Sequence, residues 1–191
     1  MSAMTSTPAM EIRRAAPRSF VHVSDLPGSN EAARKAASRA VQSGDLVRIR
    51  RGLYFKVPGA SRYGPVKPRV EAVVREIFRA PNSGFGPAGY SAARSQGLTT
   101  QVPAKFEASA LRKADPPVPG VVLHVRSNPA RAALNEKEIA VLEVLRSPEH
   151  FVDGGMTTLA RKVNELTTAK AVRLRALGKA VAGEMREFMR R

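Results

Sequence analysis

Ten side chains between residues 29 and 56 are of the types that contact nucleic acids: Ser29, Asn30, Arg34, Lys35, Ser38 and Arg39, followed by Arg48, Arg50, Arg51 and Lys56. An arginine fork pairs bidentately with a guanine edge, while lysine and serine more often hold phosphate. The chemistry this points to is non-covalent: neutralising phosphates and reading base edges. The C-terminal helix, with its apolar stripe and basic residues, is a second constellation that reads as a core-packing helix or as a docking helix or second basic patch, and the rest of the chain offers no catalytic or metal-binding one. His22, His124 and His150 are scattered, and no carboxylate stands at metal-ligand spacing beside His22 or His124, which lie inside strand candidates. Cysteine is absent, which removes disulfides, zinc–thiolate sites and thiol nucleophiles together. Gly84-Phe-Gly86 is too short to cradle a phosphate. The expectation is a binding protein with no cofactor and no metal, not an enzyme.

The elements that would position those ten residues follow from periodicity and punctuation. Over residues 30–43, Ala32, Ala33, Ala36, Ala37, Ala40 and Val41 recur at helical spacing and form one face. Glu31, Arg34, Lys35, Ser38, Arg39 and Gln42 form the other. Gly44 supplies a left-handed stop. Leu46, Val47 and Ile49, then Leu53, Tyr54, Phe55 and Val57, predict two strands with Arg50-Arg51-Gly52 as the tight turn between them. Upstream, Pro8 opens a short helix to about Ala16, Pro17 ends it, and residues 20–23 form a strand. Ser24 then caps a brief second helix at Asp25-Leu-Pro, with Gly28 turning the chain. This is the outline of a winged helix-turn-helix, with residues 30–43 as the helix for the major groove and the hairpin as the wing. A solvated helix face with a structural hairpin, or a protein-docking winged helix, is the plainer alternative.

A second region follows a proline-rich linker. Helices are expected over residues 68–80, with Val70, Val73, Val74 and Ile77 on one side, and over residues 87–97. Strands are expected at 104–109 and 121–126, joined by the loop Asp115-Pro-Pro-Val-Pro-Gly120. Asn135 with Glu138 three residues later is a capping-box pattern, opening a helix with Ile139, Leu142 and Leu145 as its stripe. Another helix begins at Thr157 or Thr158, and a last one covers residues 169–188. In that last helix Leu174, Leu177, Val181, Met185 and Phe188 form a stripe, with Arg173, Lys179, Arg186, Arg190 and Arg191 largely off it. The expected class is α+β: a winged helix-turn-helix domain over residues 1–64, then a mixed α/β domain over residues 65–191.

The charge balance agrees with a polyanionic partner. The chain carries 32 basic and 16 acidic residues, a formal net charge of +16. Residues 1–66 hold 11 basic and 4 acidic residues, and the remainder 21 and 12, so the first region is denser in charge without owning it. No stretch reaches the apolar length of a membrane span and the N-terminus lacks a secretory h-region. The expectation is a cytoplasmic protein with no membrane partner.

Two segments together resemble a known family. Asp45-Leu-Val-Arg-Ile-Arg-Arg-Gly-Leu-Tyr54, preceded by the basic helix, resembles the winged helix that opens antitoxins of the AbiE type. Gly89-Tyr-Ser-Ala-Ala-Arg-Ser-Gln-Gly-Leu-Thr-Thr-Gln-Val-Pro103 resembles the start of their second domain. The order of parts agrees over roughly residues 10–150. The resemblance implies a bacterial antitoxin of the kind associated with phage defence. Its first domain would bind double-stranded operator DNA at an inverted repeat and repress its own operon. Its second would oppose a nucleotidyltransferase-like toxin. Half-site geometry implies a dimer, or two monomers side by side. A stand-alone winged-helix regulator and an RNA- or ribosome-associated basic protein are the alternatives. The latter lacks an aromatic stacking signature.

Overall fold

The computed structural model describes residues 6–59, 64, 66–167 and 171–189. They form an α+β protein in two compact units, Met1–Val73 and Val74–Arg191.

In the first unit, Thr7 accepts a hydrogen bond from the Met10 N–H and Pro8 fills the first turn, which starts α1 (Pro8–Arg14). β1 (Phe20–His22) follows. The helix expected at Asp25-Leu-Pro is instead a single 3-10 turn, Val23–Asp25. Pro27 accounts for the difference: it removes a backbone donor, and Leu26 before it is already extended (φ −80°, ψ 140°). Ser24 caps nothing and instead donates to the Asp25 carboxylate at 3.0 Å.

Ser29 accepts a hydrogen bond from the Ala32 N–H at 3.2 Å and opens α2 (Asn30–Gln42). Gly44 ends it at φ +79°. β2 (Leu46–Arg50) and β3 (Leu53–Lys56) form a hairpin with Arg51-Gly52 as its turn. The sheet order is β1-β3-β2, and both pairings are antiparallel. β3 is therefore central, and Leu53, Tyr54 and Phe55 are all buried. The core joins Ile12, Val21, Val23, Leu46 and Tyr54 to Ala33, Ala37 and Ala40 of α2. Alanines let α2 sit close to its neighbours, but the buried stripe is narrower than its alanine content implies. Ala32 is exposed and Val41 is 36% exposed, because both lie at the edges of the apolar arc.

α3 (Val70–Ile77) spans the division between the units. In the second unit, β4 (Gly86–Pro87) pairs antiparallel with β5 (Phe106–Ala110), and β6 (Val121–Val125) pairs parallel with β5. The helix expected from residue 87 begins two residues later, as α4 (Gly89–Ser95), because Gly86 and Pro87 are taken by the sheet. Gly86 permits this: a Cβ there would lie 2.6 Å from Ile139. The connector between the parallel strands is shorter than the dozen or more residues usual for such crossovers. It carries no helix, and Ala114 and Val118 fold back over Val74 and Phe78.

α5 (Glu136–Val144) opens with the capping box: Asn135 accepts from the Glu138 N–H at 3.0 Å, and Glu138 accepts from the Asn135 N–H at 2.8 Å. It is not a one-sided helix. Residues 138–144 are all buried, including both glutamates. α6 (Pro148–Phe151), α7 (Gly155–Thr167) and α8 (Ala171–Phe188) follow. The expected stripe of α8 is rotated. Leu177, Ala180 and Glu184 face inward, Val181 is half-buried, and Met185 is 62% exposed. The side chains of Arg173, Leu174 and Phe188, and the whole of Arg190 and Arg191, lie outside the described residues. No helix among the described residues is long and apolar enough to cross a membrane.

Candidate nucleic-acid interface

The cationic surface of the first unit is built on α2 and the hairpin. Ala33, Ala37 and Ala40 turn inward (1%, 0% and 9% exposed), which points Arg34, Lys35, Ser38 and Arg39 the opposite way, and all four are exposed. Glu31 shares that face and pairs with Lys35 at 2.7 Å, so one of its cations is partly compensated. Ser29 and Asn30 are exposed at the start of the helix, but the Ser29 hydroxyl oxygen is already accepting the capping hydrogen bond.

The hairpin distributes its four cations unevenly. Arg48 is exposed opposite Tyr54. The pairing then skips Ile49, a bulge, so that Arg50 opposes Leu53. Arg50 is half-buried, and Arg51 is exposed at the turn. Gly52 takes φ +78°, a conformation that other residues adopt only with strain, and nothing crowds it, so the backbone alone demands glycine there. The Gly52 carbonyl accepts a hydrogen bond from the Val23 N–H at 3.0 Å. That bond holds the turn, with Arg51, against the 3-10 turn leading into α2.

Lys56 is not brought to this end. It opposes Leu46 at the other end of the hairpin, where its ammonium lies 3.8 Å from Asp45 and its side chain is only 12% exposed. Asp45 also accepts from Ser43 at 2.8 Å. Lys56 therefore closes the base of the hairpin onto the end of α2. The structure gathers Arg50 and Arg51 at the tip, Arg34, Lys35, Ser38 and Arg39 on α2, and leaves Lys56 apart.

The second unit holds a polar cluster that linear spacing gave no reason to expect. Arg131 is completely buried. It donates to Glu184 at 2.6 Å and to Ser109 at 2.8 Å, and it pairs with Glu143. Arg126 grips Glu143 from another side at 3.0 and 2.6 Å. Arg146 pairs with Glu184. Asn128 donates to the Ala180 carbonyl at 2.8 Å and to Glu184 at 3.2 Å. Burial alone would raise the Glu143 carboxyl, but hydrogen bonding from Arg126 and the charges of Arg131 and Arg126 outweigh it and hold it below its ordinary value. The cluster ties α8 to α5 and β5. Three arginines share two glutamates and the buried Arg131 Nε–H has no hydrogen-bond partner among the described residues, but each carboxylate is held between two cations that belong to different segments, so the cluster reads as scaffold.

The remaining sequence features also have structural explanations. His124 lies 3.6 Å from Glu107 across the sheet. Among the described residues, no group of histidine and carboxylate side chains could hold a metal ion. The Gly97-Leu-Thr-Thr-Gln-Val-Pro103 segment ends α4 in a paired turn: the Leu98 N–H bonds the Ala93 carbonyl at 2.9 Å and the Gly97 N–H bonds Arg94 at 3.0 Å. Leu98 is then buried, while Asp153 receives the Thr100 N–H at 3.1 Å. Val102, beyond it, is 72% exposed.

Fold and surface together define a two-unit α+β chain with a cationic helix-and-hairpin face. The chain belongs to a family of unknown function, DUF6088, whose family model matches residues 11–110. That match runs from α1 to the end of β5 and so takes in the helix, the hairpin and the first part of the second unit. No curated protein matches the chain. A crystal structure of the RV2827C protein from Mycobacterium tuberculosis is similar over 92% of this chain and 75% of that one, at 15% identity and a TM-score of 0.45.

Proposed function

We propose that the protein is a duplex-DNA-binding transcriptional autorepressor whose first unit is a winged helix-turn-helix, and that it serves as the antitoxin of a bacterial toxin–antitoxin operon. The observation that carries the DNA reading is the division of α2. Three near-fully buried alanines fix one side, and Arg34, Lys35, Ser38 and Arg39 stand exposed on the other. The order helix, strand, short helical turn, helix, strand, strand supports it, with α2 in the recognition position. Arg34 and Arg39 are suited to base edges, and Arg48, Arg50 and Arg51 to the backbone beside them. Lys56 has no part in the contact. The antitoxin role, opposing a nucleotidyltransferase-like toxin, rests on the resemblance of residues 45–54 and 89–103 to AbiE-type antitoxins.

The test is binding of the full chain to a duplex from upstream of its own gene, against a scrambled duplex and a structured RNA, over a salt series. Affinity falls steeply with salt, by about 0.9 in the log–log slope for each phosphate contacted. Arg34→Ala or Arg39→Ala costs roughly 1–3 kcal/mol on the upstream duplex and relaxes sequence preference. Arg48→Ala with Arg51→Ala lowers the slope by about 1.8 on every duplex. Equal affinity for RNA and both duplexes, unaltered by these substitutions, would overturn the DNA reading. Co-expression with a neighbouring nucleotidyltransferase tests the antitoxin role separately: rescue of growth supports it, and continued toxicity counts against it.

A further inference from the structure

We propose that the open edge of the second unit's sheet, strand β6, is a docking site for an extended acidic segment of a partner protein, which adds to the sheet as a fourth strand. This does not rest on the DNA-binding reading, since it concerns different residues and a different ligand.

The sheet order is β4-β5-β6, so β6 has one paired side and one edge. In a parallel pair, a residue sends both its N–H and its C=O to the same neighbour, and the next residue sends both away. The Phe106 N–H bonds Gly120 and the Arg126 N–H bonds Ala110, so the even-numbered residues of this strand face β5. Leu123 and Val125 therefore direct their backbone N–H and C=O groups outward along the edge. Among the described residues no strand pairs with them.

The same residues line an apolar groove of about 290 Å³, together with Val74 and Phe78 of the α3 segment and Lys113 and Val118 of the connector. An edge with free backbone groups beside an apolar groove has the two parts of strand-addition recognition: main-chain bonds for affinity and pockets for alternate side chains. Soluble proteins usually blunt such an edge with charge, proline or a covering element. Here Val125 is 46% exposed and Val122 is 39% exposed.

Charge selects the occupant. The one charged side chain lining the groove is Lys113, which is exposed and forms no ion pair among the described residues. A second copy of this chain would bring its own Lys113 and a net charge of +16 to the same contact. An extended segment that alternates apolar residues with carboxylates fills the groove and answers the lysine.

The experiment uses the full chain and a fluorescein-labelled eight-residue peptide of alternating valine and glutamate, read by anisotropy. The controls are the same peptide with lysine for glutamate, and with proline at two central valines. The acidic peptide binds, and both controls bind at least roughly tenfold more weakly. Val125→Pro removes an outward N–H without touching the β5 ladder, and lowers affinity roughly tenfold while the thermal melt is retained. Lys113→Glu, on an exposed side chain that does not threaten folding, weakens the acidic peptide about fivefold and improves the lysine peptide. Arg34→Ala with Arg51→Ala leaves peptide binding unchanged, which separates this site from the basic face of the first unit. Equal binding of the proline control, loss of binding in the Arg34→Ala and Arg51→Ala chain, or no binding at all overturns the proposal. So does concentration-dependent dimerisation of the free chain that Val125→Pro abolishes.

Discussion

Two glycines in α8 should respond to alanine with opposite signs. Gly178 and Gly183 both lie inside the helix, where glycine costs about 1 kcal/mol relative to alanine. A Cβ on Gly178 meets nothing within 4 Å. Gly178→Ala should therefore stabilise by about 0.8–1 kcal/mol, raising Tm by about 2–4 °C for a chain of this size. A Cβ on Gly183 would lie 2.4, 2.5 and 2.6 Å from the Oδ1, Nδ2 and Cγ atoms of Asn128, closer than real Cβ contacts come. Asn128 is 4% exposed and bonds Ala180, Glu184 and the Ala130 N–H, so it cannot swing into solvent without stranding those groups. Losing them costs roughly 2–4 kcal/mol. After the propensity gain, Gly183→Ala should destabilise by roughly 1–3 kcal/mol. Urea denaturation of both variants is the assay, with Gly183→Ala repeated in an Asn128→Ala background. Relief of the overlap there should make the second substitution neutral or stabilising. If Gly183→Ala stabilised the parent chain as Gly178→Ala does, the close approach of α8 to Asn128 would be refuted, and with it the anchoring of α8 through the arginine cluster.

Other perturbations probe the same cluster and the helix that carries the cationic face. Arg131→Met should cost roughly 3–5 kcal/mol, because Glu143 and Glu184 stay buried after losing a shared cation; a loss of under about 1 kcal/mol in the unfolding free energy from urea denaturation would show the cluster to be dispensable. Glu143 is held below its ordinary 4.5, so the unfolded chain binds more protons between the two values. Its contribution is therefore fully present above about pH 4.5 and is lost as pH falls through the lower, folded value. Glu143→Gln should be less stable at pH 7 and flatten the acid limb of stability against pH, measured by urea midpoints from pH 7 to 3. Ser29→Ala should lower stability by about 0.5–2 kcal/mol by uncapping α2, with the loss seen in thermal melts.

Local rules account for what the chain's residues disclosed in advance. Gly44 and the Asn135–Glu138 pair act over three or four residues, and each does in space what its type predicts in sequence. The hairpin was legible for the same reason, since Gly52 must take a positive φ whatever surrounds it. Apart from the Asp25-Leu-Pro helix, which fails locally at Pro27, the departures are non-local. Nothing local marks Glu143 for burial, yet it is buried and held by Arg126 and Arg131. The partners of Arg131 lie 12, 22 and 53 residues away, a separation at which spacing carries no signal. Lys56, grouped with Arg48, Arg50 and Arg51 on the wing, lies at the other end of the hairpin because register, not proximity in sequence, decides where a hairpin residue lies.

The same distinction changes what a net charge of +16 means for function. The total counts Arg131, which no solvent reaches, equally with Arg51, which is exposed at a turn. In the second unit Arg75, Arg79, Arg126, Arg131, Arg146 and Arg161 are each engaged by a glutamate, and three of them act on the two buried ones. Arg126, Arg131 and Arg146 are unavailable to a polyanion unless a buried carboxylate is first released, a step that costs more than a surface phosphate contact returns. In the first unit Arg34, Arg39, Arg48 and Arg51 are exposed, while Arg14, Lys35 and Lys56 are each engaged by a carboxylate. Contact with DNA should therefore follow the exposed, uncompensated cations, which include Arg94, Lys105 and Lys137 of the second unit as well as those on α2 and the hairpin, and not the charge of the chain. A salt slope much steeper than the residues on α2 and the hairpin allow would mean that the second unit also touches the duplex.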